Sequence, residues 1–436
     1  MAITIPQIQS GADTSHSKEH IPRLKMTNQT AARRPKLAIV TTHAISAENL
    51  MNGQLTFLRE RGFDITVVAA PSESLDIVRE REQVATIPIP IEREISPAAD
   101  ARTLLKLCGI LRRLRPDIVN AGTPKAGLLG MVAAKLTRVP VRIYTLRGLR
   151  LETTSGFKER LLSTTERIAA SCAQQVICVG ESLRQEFVRR ELVAAEKTIV
   201  LRSGSSNGVS AERFQYSAEQ FRQIDRLRES LTIPADAPVI GFVGRLTRDK
   251  GIVDLHEAFT RLLPEFPDLR LVLIGGSEPG DPVPSDVWQS LQSHPQIILT
   301  GAIKDPSLHY GLFDLFAFPS YREGFPNVPM EAAAAGIPVV GYSATGTLDA
   351  VVDGVTGRLV PLKDSAALAA ATAEYLRNPF LRNQHGETGR RRVQTEFRRE
   401  DIWQSLSDLY SHWLTARGLP LPISSIEKTV TQRKVA

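Results

Sequence analysis

The 436-residue sequence lacks a disulfide pattern, a long apolar run and a secretory signal. Its three cysteines, Cys108, Cys172 and Cys178, have spacings that fit neither a disulfide framework nor a metal motif, which favours a reducing compartment. No uninterrupted apolar stretch approaches the ~20 residues that a membrane-spanning helix needs. The N-terminal segment lacks the basic start and apolar block of a secretory signal, so we expect a cytoplasmic protein.

Basic residues outnumber acidic residues in the first half of the chain. Residues 1–220 contain 31 Lys and Arg against 22 Asp and Glu, a balance of +9, whereas residues 221–436 carry a balance of −2. A basic half predicts an anionic partner, such as a phosphorylated acceptor or the inner leaflet of a membrane. No nucleic-acid partner is expected, because basic runs interleaved with aromatic residues are missing.

Strands and helices alternate along most of the chain, which predicts an α/β fold. Apolar strands such as Lys36–Thr41 and Val239–Val243 are separated by amphipathic helices, which is typical of parallel sheets covered on both faces. A Gly/Ser/Asn run at 203–208 separates two such series, so two doubly wound domains with a cleft between them are predicted. The predicted parts are a disordered lead-in at 1–34, an N-terminal domain at 35–205 joined by a C-terminal helix at 400–416, a C-terminal domain at 206–398, and a flexible tail at 417–436.

Two carboxylates flank the start of one predicted helix. Glu323 lies in the loop after an apolar strand, and Glu331 follows near the first turn of a helix that opens near Asn327. A phosphate or a sugar hydroxyl would bind well between them, because the first N–H groups of a helix are free and its N-terminus is positive. Solvated or capping residues would show the same pattern, so this motif alone leaves both interpretations open.

A basic turn follows the first strand of the second series. Gly244 comes directly after that strand, and Arg245 and Lys250 follow it before the next helix. Gly244 would let the backbone approach a ligand, and both cations could reach anionic oxygens. Cations are unfavourable beside the positive end of a helix unless an anion binds there, which favours an anion site. The pattern is neither a P-loop nor a dinucleotide-binding turn, which argues against an ATPase or a dehydrogenase.

Together these motifs resemble the donor domain of retaining family 4 glycosyltransferases, which have the GT-B architecture of two facing Rossmann-like domains. The resemblance covers roughly residues 36–415. On the N-terminal side, Thr123–Gly130 and Tyr144–Gly148 resemble members that build exopolysaccharide or lipid-linked oligosaccharide. The donor-side motifs are Gly244-Arg245-Leu246 through Lys250-Gly251, Glu323–Asn327, Glu331-Ala332, Ala335–Pro338 and Asp353–Gly357.

The resemblance implies a role for each donor-site residue. Arg245 and Lys250 would bind the diphosphate of a nucleotide sugar, Glu331 the ribose hydroxyls, and Glu323 the sugar hydroxyls. Glu323, Arg245 and Lys250 would carry catalysis, the two cations by stabilising the departing diphosphate. No metal or other cofactor is expected, since these cations and a helix terminus supply the charge and the chain has no Asp-x-Asp. The remaining donor-site residues are Gly244, Gly324, Phe325, Pro326 and Asn327.

The acceptor side departs from the family pattern. Many relatives carry His at the positions of Asn120, Gly122 and Arg147, where it is often assigned a catalytic or sugar-orienting role. The absent His leaves the acceptor-side mechanism open. The residues that we expect to line this side are His43, Thr123, Lys125 and Arg147.

The functional hypothesis is retaining transfer of a sugar from a UDP- or GDP-sugar to a hydroxyl of a glycan or a polyprenyl-diphosphate-linked acceptor, in cell-surface polysaccharide synthesis. A nucleotide-sugar epimerase and a catalytically weakened donor-binding protein of the same fold stay open as alternatives. We also expect peripheral contact with anionic membrane at the inner face of the cytoplasmic membrane. The basic residues expected to make that contact are Arg102, Lys106, Arg112, Arg113 and Arg115.

Overall fold

The computed structural model describes residues 33–92 and 96–422. Most of the predicted lead-in and most of the predicted tail lie outside the described residues. The strands are β1 Lys36–His43, β2 Asp64–Ala70, β3 Ala85–Pro88, β4 Ile118–Gly122, β5 Val141–Leu146, β6 Gln175–Cys178, β7 Thr198–Val200, β8 Val239–Val243, β9 Arg270–Ile274, β10 Ile297–Gly301, β11 Leu315–Phe318, β12 Val339–Tyr342 and β13 Gly357–Val360.

Helices connect these strands. The α-helices are α1 Ala44–Leu50, α2 Gln54–Glu60, α3 Glu73–Glu82, α4 Pro97–Leu114, α5 Pro124–Leu136, α6 Gly156–Cys172, α7 Glu181–Arg189, α8 Ala218–Ser230, α9 Ile252–Leu262, α10 Ser285–Ser293, α11 Ser307–Tyr310, α12 Asn327–Ala334, α13 Thr347–Ala350, α14 Ser365–Arg377, α15 Pro379–Glu396 and α16 Arg399–Ala416.

The strands form two parallel sheets, which confirms the predicted α/β fold of two doubly wound domains. The first sheet has seven strands in the order β3-β2-β1-β4-β5-β6-β7, and the second has six in the order β10-β9-β8-β11-β12-β13. In both sheets the strand order reverses once, between β1 and β4 and between β8 and β11. Ligands of doubly wound sheets bind at the carboxyl ends of the strands beside such a reversal. We therefore expect the ligand site at the loops that follow these four strands.

Successive residues of each strand are apolar and face opposite sides of the sheet, which explains why helices cover both faces. In β1, Leu37 and Ile39 pack in one core, whereas Ala38 and Val40 pack in the core on the opposite face. Side chains of a strand alternate between the two faces, so a continuous apolar strand needs a helix layer on each side. The strands consequently occupy the centre of each domain, and the polar residues lie where the strands end.

The last helix among the described residues returns to the N-terminal domain. Leu406, Tyr410 and Leu414 of α16 pack in the same core as Leu37 and Ile39 of β1. The chain thus crosses between the domains twice. The two crossings lie side by side, and the Val209 N–H donates to the Phe397 carbonyl at 2.9 Å.

The sequence pattern is wrong about the segment after β1. It predicts one helix over Asn49–Arg61, whereas the structure has α1 and α2 with a turn between them. The carboxylate of Glu82 causes the break, because it accepts the backbone N–H groups of Gly53 and Thr56 at 2.9 and 3.0 Å and so starts a new helix there. Glu82 belongs to α3, which, with β3, the sequence pattern does not predict.

Candidate active site

Loops of the two domains meet at the ends of β5 and β11. A Cβ atom on Gly324 would lie only 2.1 Å from the carbonyl oxygen of Arg147, so the two backbones touch where no side chain fits. Gly148 lies at the same contact, since a Cβ atom there would be 3.5 Å from the Gly324 nitrogen. The predicted acceptor-side and donor-side loops are therefore in direct contact.

Lys250 and Glu323 form an ion pair at the strand reversal of the C-terminal sheet. Lys250 Nζ bonds to Glu323 Oε1, and the side chains are only 19% and 15% exposed. Ser320 Oγ donates to the same carboxylate oxygen at 2.7 Å, and the Glu323 N–H donates to the Thr345 carbonyl at 3.1 Å. The structure thus brings together two predicted site residues that are far apart in sequence. It adds Ser320, which the sequence pattern does not single out although it follows β11 closely.

Arg245 has a carboxylate partner that the sequence pattern does not predict. Its guanidinium pairs with Glu278, which lies beyond the end of β9, while its side chain is 54% exposed. Gly244 is fixed beside β9, because its N–H donates to the Ile274 carbonyl at 2.9 Å. Both predicted phosphate-binding cations are therefore paired with carboxylates.

Glu331 lies near the first turn of α12, as predicted, since it is the fifth residue of that helix. Its carboxylate reaches Tyr310, the last residue of α11. The buried Tyr310 hydroxyl donates to Glu331 Oε2 at 2.8 Å. Burial raises the pKa of Glu331, although the Tyr310 hydrogen bond counteracts part of this effect. Tyr310 therefore fixes one oxygen of the Glu331 carboxylate.

The start of α12 offers unbonded backbone N–H groups. Pro326 occupies the N-cap position, and no side chain caps the helix. The ring of Phe325 packs against Phe397 at 5.4 Å between centroids and contacts the cores of both domains. Phe325 thus anchors the loop, and the first helical N–H groups, beginning with Asn327, stay available to an anion.

The predicted acceptor-side residues follow β1, β4 and β5. His43 ends β1 and is exposed. Thr123, which has a positive φ of 74°, connects β4 to α5, and its hydroxyl lies 2.8 Å from that of Thr42. Lys125 Nζ is 2.8 Å from Asp100, so its charge is paired. These side chains lie at the carboxyl end of the N-terminal sheet.

Arg147 lies over Gly122. A Cβ atom at position 122 would be 1.9 Å from Arg147 Nη1, so the guanidinium fits only because that residue is glycine. Burial lowers the pKa of Arg147 to about 10, which still leaves it cationic at neutral pH. Asn120 beside it accepts a 2.8 Å bond from Thr145 and donates a 2.6 Å bond to the Tyr410 hydroxyl. The three positions at which the family resemblance implies His thus belong to one cluster.

Further hydrogen bonds join the two domains near this site. Asp349 accepts from the N–H of Ser182 at 3.0 Å and from its hydroxyl at 2.6 Å. Thr345 donates to Glu152 at 2.5 Å. Burial raises the pKa of both carboxyl groups. The loop that holds Glu323 through Thr345 is therefore tied to the N-terminal domain.

Over residues 33–92 and 96–422, no three His, Cys, Asp or Glu side chains cluster as metal ligands. Within the same ranges, no helix has the length and apolar character to cross a bilayer.

Two family models match the chain, one on each domain. Residues 51–204 match the glycosyl transferase 4-like domain, and residues 223–392 match the glycosyl transferases group 1 domain. Similar structures include Anabaena Alr3699/HepE in complex with UDP, which has a TM-score of 0.72 at 21% identity and covers 86% of this chain and 100% of its own. Sucrose-phosphate synthase from Thermosynechococcus elongatus has a TM-score of 0.72 at 22% identity, with coverage of 88% and 100%. At these identities the likeness shows the fold.

Curated relatives give the family. The chain is 26% identical to the UDP-Gal:alpha-D-GlcNAc-diphosphoundecaprenol alpha-1,3-galactosyltransferase of Escherichia coli. The match spans 315 residues, which is 71% of this chain and 79% of that protein. It is 37% identical over 365 residues to the capsular polysaccharide biosynthesis glycosyltransferase CapM of Staphylococcus aureus, with coverage of 84% and 94%. The chain therefore belongs to the GT-B glycosyltransferase family that includes CapM.

Proposed function

We propose that this protein transfers a sugar from a UDP- or GDP-sugar, with retention of configuration, to a glycan or polyprenyl-diphosphate-linked acceptor in cell-surface polysaccharide synthesis. The observation that carries the proposal is the Lys250–Glu323 pair, placed at the strand reversal of one sheet and next to the loop of Arg147. The names of CapM and of the Escherichia coli relative, and the UDP bound to the Anabaena protein, support it.

The donor site is proposed to work by exchange of ionic partners. A diphosphate carries more negative charge than a carboxylate, so it displaces Glu323 from Lys250 and Glu278 from Arg245. Once released, Glu323 accepts hydrogen bonds from hydroxyl groups of the transferred sugar. Glu331 accepts from the ribose through the oxygen that Tyr310 does not hold.

The proposed reaction breaks the bond between the sugar C1 and the diphosphate oxygen, and the electron pair leaves with the diphosphate. The acceptor hydroxyl oxygen forms a new bond to C1 on the same face, and its proton passes to the departing diphosphate. Lys250, Arg245 and the N–H groups at the start of α12 stabilise the growing negative charge. Since these groups already supply positive charge, we propose that no metal ion is required.

Acceptor-dependent release of nucleoside diphosphate tests the proposal. Purified protein is incubated with UDP- and GDP-sugars in the presence and absence of a polyprenyl-diphosphate-linked sugar, with and without EDTA. We expect release only with acceptor, persistence in EDTA, and a product whose anomeric configuration by NMR equals that of the donor. Conversion of donor alone would indicate an epimerase, and donor binding without turnover would indicate a donor-binding protein. Absence of donor binding would refute the proposal.

We further propose that α4 docks the N-terminal domain on anionic membrane. Leu105 on this helix is 72% exposed, and the five basic residues predicted for this role are all exposed. An apolar side chain among cations suits a lipid interface, where each basic residue contributes about 1 kcal/mol. The five basic residues are Arg102, Lys106, Arg112, Arg113 and Arg115.

Vesicle co-sedimentation tests the docking surface. The wild-type protein should bind vesicles containing phosphatidylglycerol at low salt and dissociate from them at high salt. It should not bind neutral vesicles. Replacing Arg102, Lys106 and Arg113 together by Gln should abolish binding. A matched triple variant on the C-terminal domain, Arg222, Arg226 and Arg261 to Gln, should bind as the wild type does. Equal binding by the two variants would refute α4 as the membrane contact.

A further inference from the structure

The side chain of Arg147 is an unusual buried cation. Its Nε and Nη1 atoms are buried without a hydrogen-bond partner. Among residues 33–92 and 96–422, no carboxylate forms an ion pair with it. Lys125 and Lys250 at the same cleft both have carboxylate partners, so Arg147 differs from its neighbours in having unused hydrogen-bonding capacity.

A small cavity adjoins this guanidinium. Its volume is about 20 Å³, and its polar lining includes Gln54, Asn120, Thr145 and Ser205. Such a volume has room for about one oxygen-sized group. The cavity lies beside the carboxyl ends of β4 and β5, which is the edge of the sheet where a ligand enters a doubly wound domain.

An unpaired buried guanidinium destabilises a fold, because its hydration is lost without a compensating interaction. The arrangement at Gly122 nevertheless makes room for it, since any side chain at that position would overlap Nη1. Such a group is expected where the missing partner arrives with a ligand. A guanidinium bonds most strongly to the oxygens of carboxylates and phosphates.

We propose that Arg147 binds an anionic oxygen, from a carboxylate or a phosphate, on the sugar substrate or acceptor that enters the cleft. This inference rests on the proposed transfer reaction and deepens it, because it states that one of the substrates is acidic near the reacting sugar. The group enters from the strand edge and places one oxygen in the cavity beside Nε and Nη1. Arg147 thereby selects acidic over neutral substrates.

Calorimetric titration at saturating UDP tests the inference, because UDP occupies the cations of the donor site. The probes are glucuronate, which carries a carboxylate, inorganic phosphate, and neutral glucose. Arg147→Met should weaken the binding of one of the two anions roughly tenfold to hundredfold and leave that of glucose unchanged. The anion affected tells whether the substrate contributes a carboxylate or a phosphate.

Two further variants separate this role from a structural one. Gly122→Ala keeps the charge of Arg147 but pushes its guanidinium aside, so this variant should lose affinity for the same anion. Arg142→Met is the matched control, because Arg142 lies at the other end of β5 and donates to the carbonyls of Cys172 and Val139 at 2.7 and 2.8 Å. Arg142→Met should lower the melting temperature and keep anion binding, whereas Arg147→Met should raise the melting temperature.

Unchanged anion affinity in Arg147→Met, or a fall in its melting temperature that matches Arg142→Met, would overturn the inference. Failure of the proposed function would look different, because the wild-type protein would then bind neither UDP nor GDP, or would release no nucleoside diphosphate when acceptor is added. Retained UDP binding in Arg147→Met together with lost anion binding supports the assignment.

Discussion

Glu323→Gln is predicted to strengthen the binding of free UDP. Lys250 is paired with Glu323, and under the proposed partner exchange a diphosphate breaks this pair when it binds. The pair is mostly buried and should stabilise the free state by about 1 kcal/mol, near the upper end of the range for accessible pairs. Removing the carboxylate charge releases Lys250 and should increase the affinity for UDP about fivefold.

Lys250→Ala is expected to have the opposite effect. It removes a charge-assisted contact to phosphate worth about 1.5–3 kcal/mol, which lowers the affinity for UDP roughly tenfold to hundredfold. In the Lys250→Ala background, Glu323→Gln should no longer affect UDP binding, because no ion pair remains to be released. The two changes are therefore non-additive for UDP. For a UDP-sugar, Glu323→Gln should reduce the extra affinity that the sugar contributes.

Isothermal titration of UDP into the wild type, the two single variants and the double variant measures this cycle. Glu257→Gln is the matched control, since Glu257 pairs with Arg261 on the exposed surface of α9 and should not affect UDP. If Glu323→Gln weakens UDP binding as much as Lys250→Ala does, the partner exchange is wrong. The carboxylate would then hold the loop or the nucleotide itself.

Three further predictions concern Glu331, Glu166 and the domain contact. Glu331→Ala should weaken UDP binding tenfold or more, because the ribose loses a charged acceptor, and an unchanged affinity by titration would contradict this role. Burial raises the pKa of the Glu166 carboxyl group from 4.5 to about 7, so ionisation of this group opposes folding. The free energy of unfolding should therefore fall as the pH rises from about 4.5 to 7, by about 3 kcal/mol in total. Glu166→Gln should lack this loss, and thermal melts at pH 4.5 and 8 that shift equally in both proteins would contradict it. Asp349→Ala leaves the Ser182 donors without their acceptor and should lower the free energy of unfolding in urea by about 1–3 kcal/mol, whereas unchanged stability would show that this contact does not hold the domains.

The donor-side residues could be predicted because their signals are local. Gly244, Lys250 and Glu323 each follow an apolar strand and precede a helix, and a doubly wound sheet places such loops at one edge. Glu278 and Tyr310 could not be predicted in the same way. Each depends on which strands and helices are neighbours, and a single sequence does not fix this.

The cluster around Arg147 likewise depends on tertiary structure that the sequence does not show. In β4 and β5 the register pairs Gly122 with Thr145, so Arg147 extends two residues past the partner of Gly122 and can reach back over it. The sequence alone shows both residues but gives no register between the strands. The same absence of tertiary context explains the error at Asn49–Arg61, where Glu82, far along the chain, starts a second helix.

Electrostatics connect the donor loop to the acceptor side. Glu323 and Gly324 are adjacent in sequence, so the residue that pairs with Lys250 is one peptide away from the residue that touches the Arg147 carbonyl. Under the proposed partner exchange, a diphosphate that displaces Glu323 acts on the same short loop that touches Arg147, so donor binding is expected to affect the acceptor side through this loop.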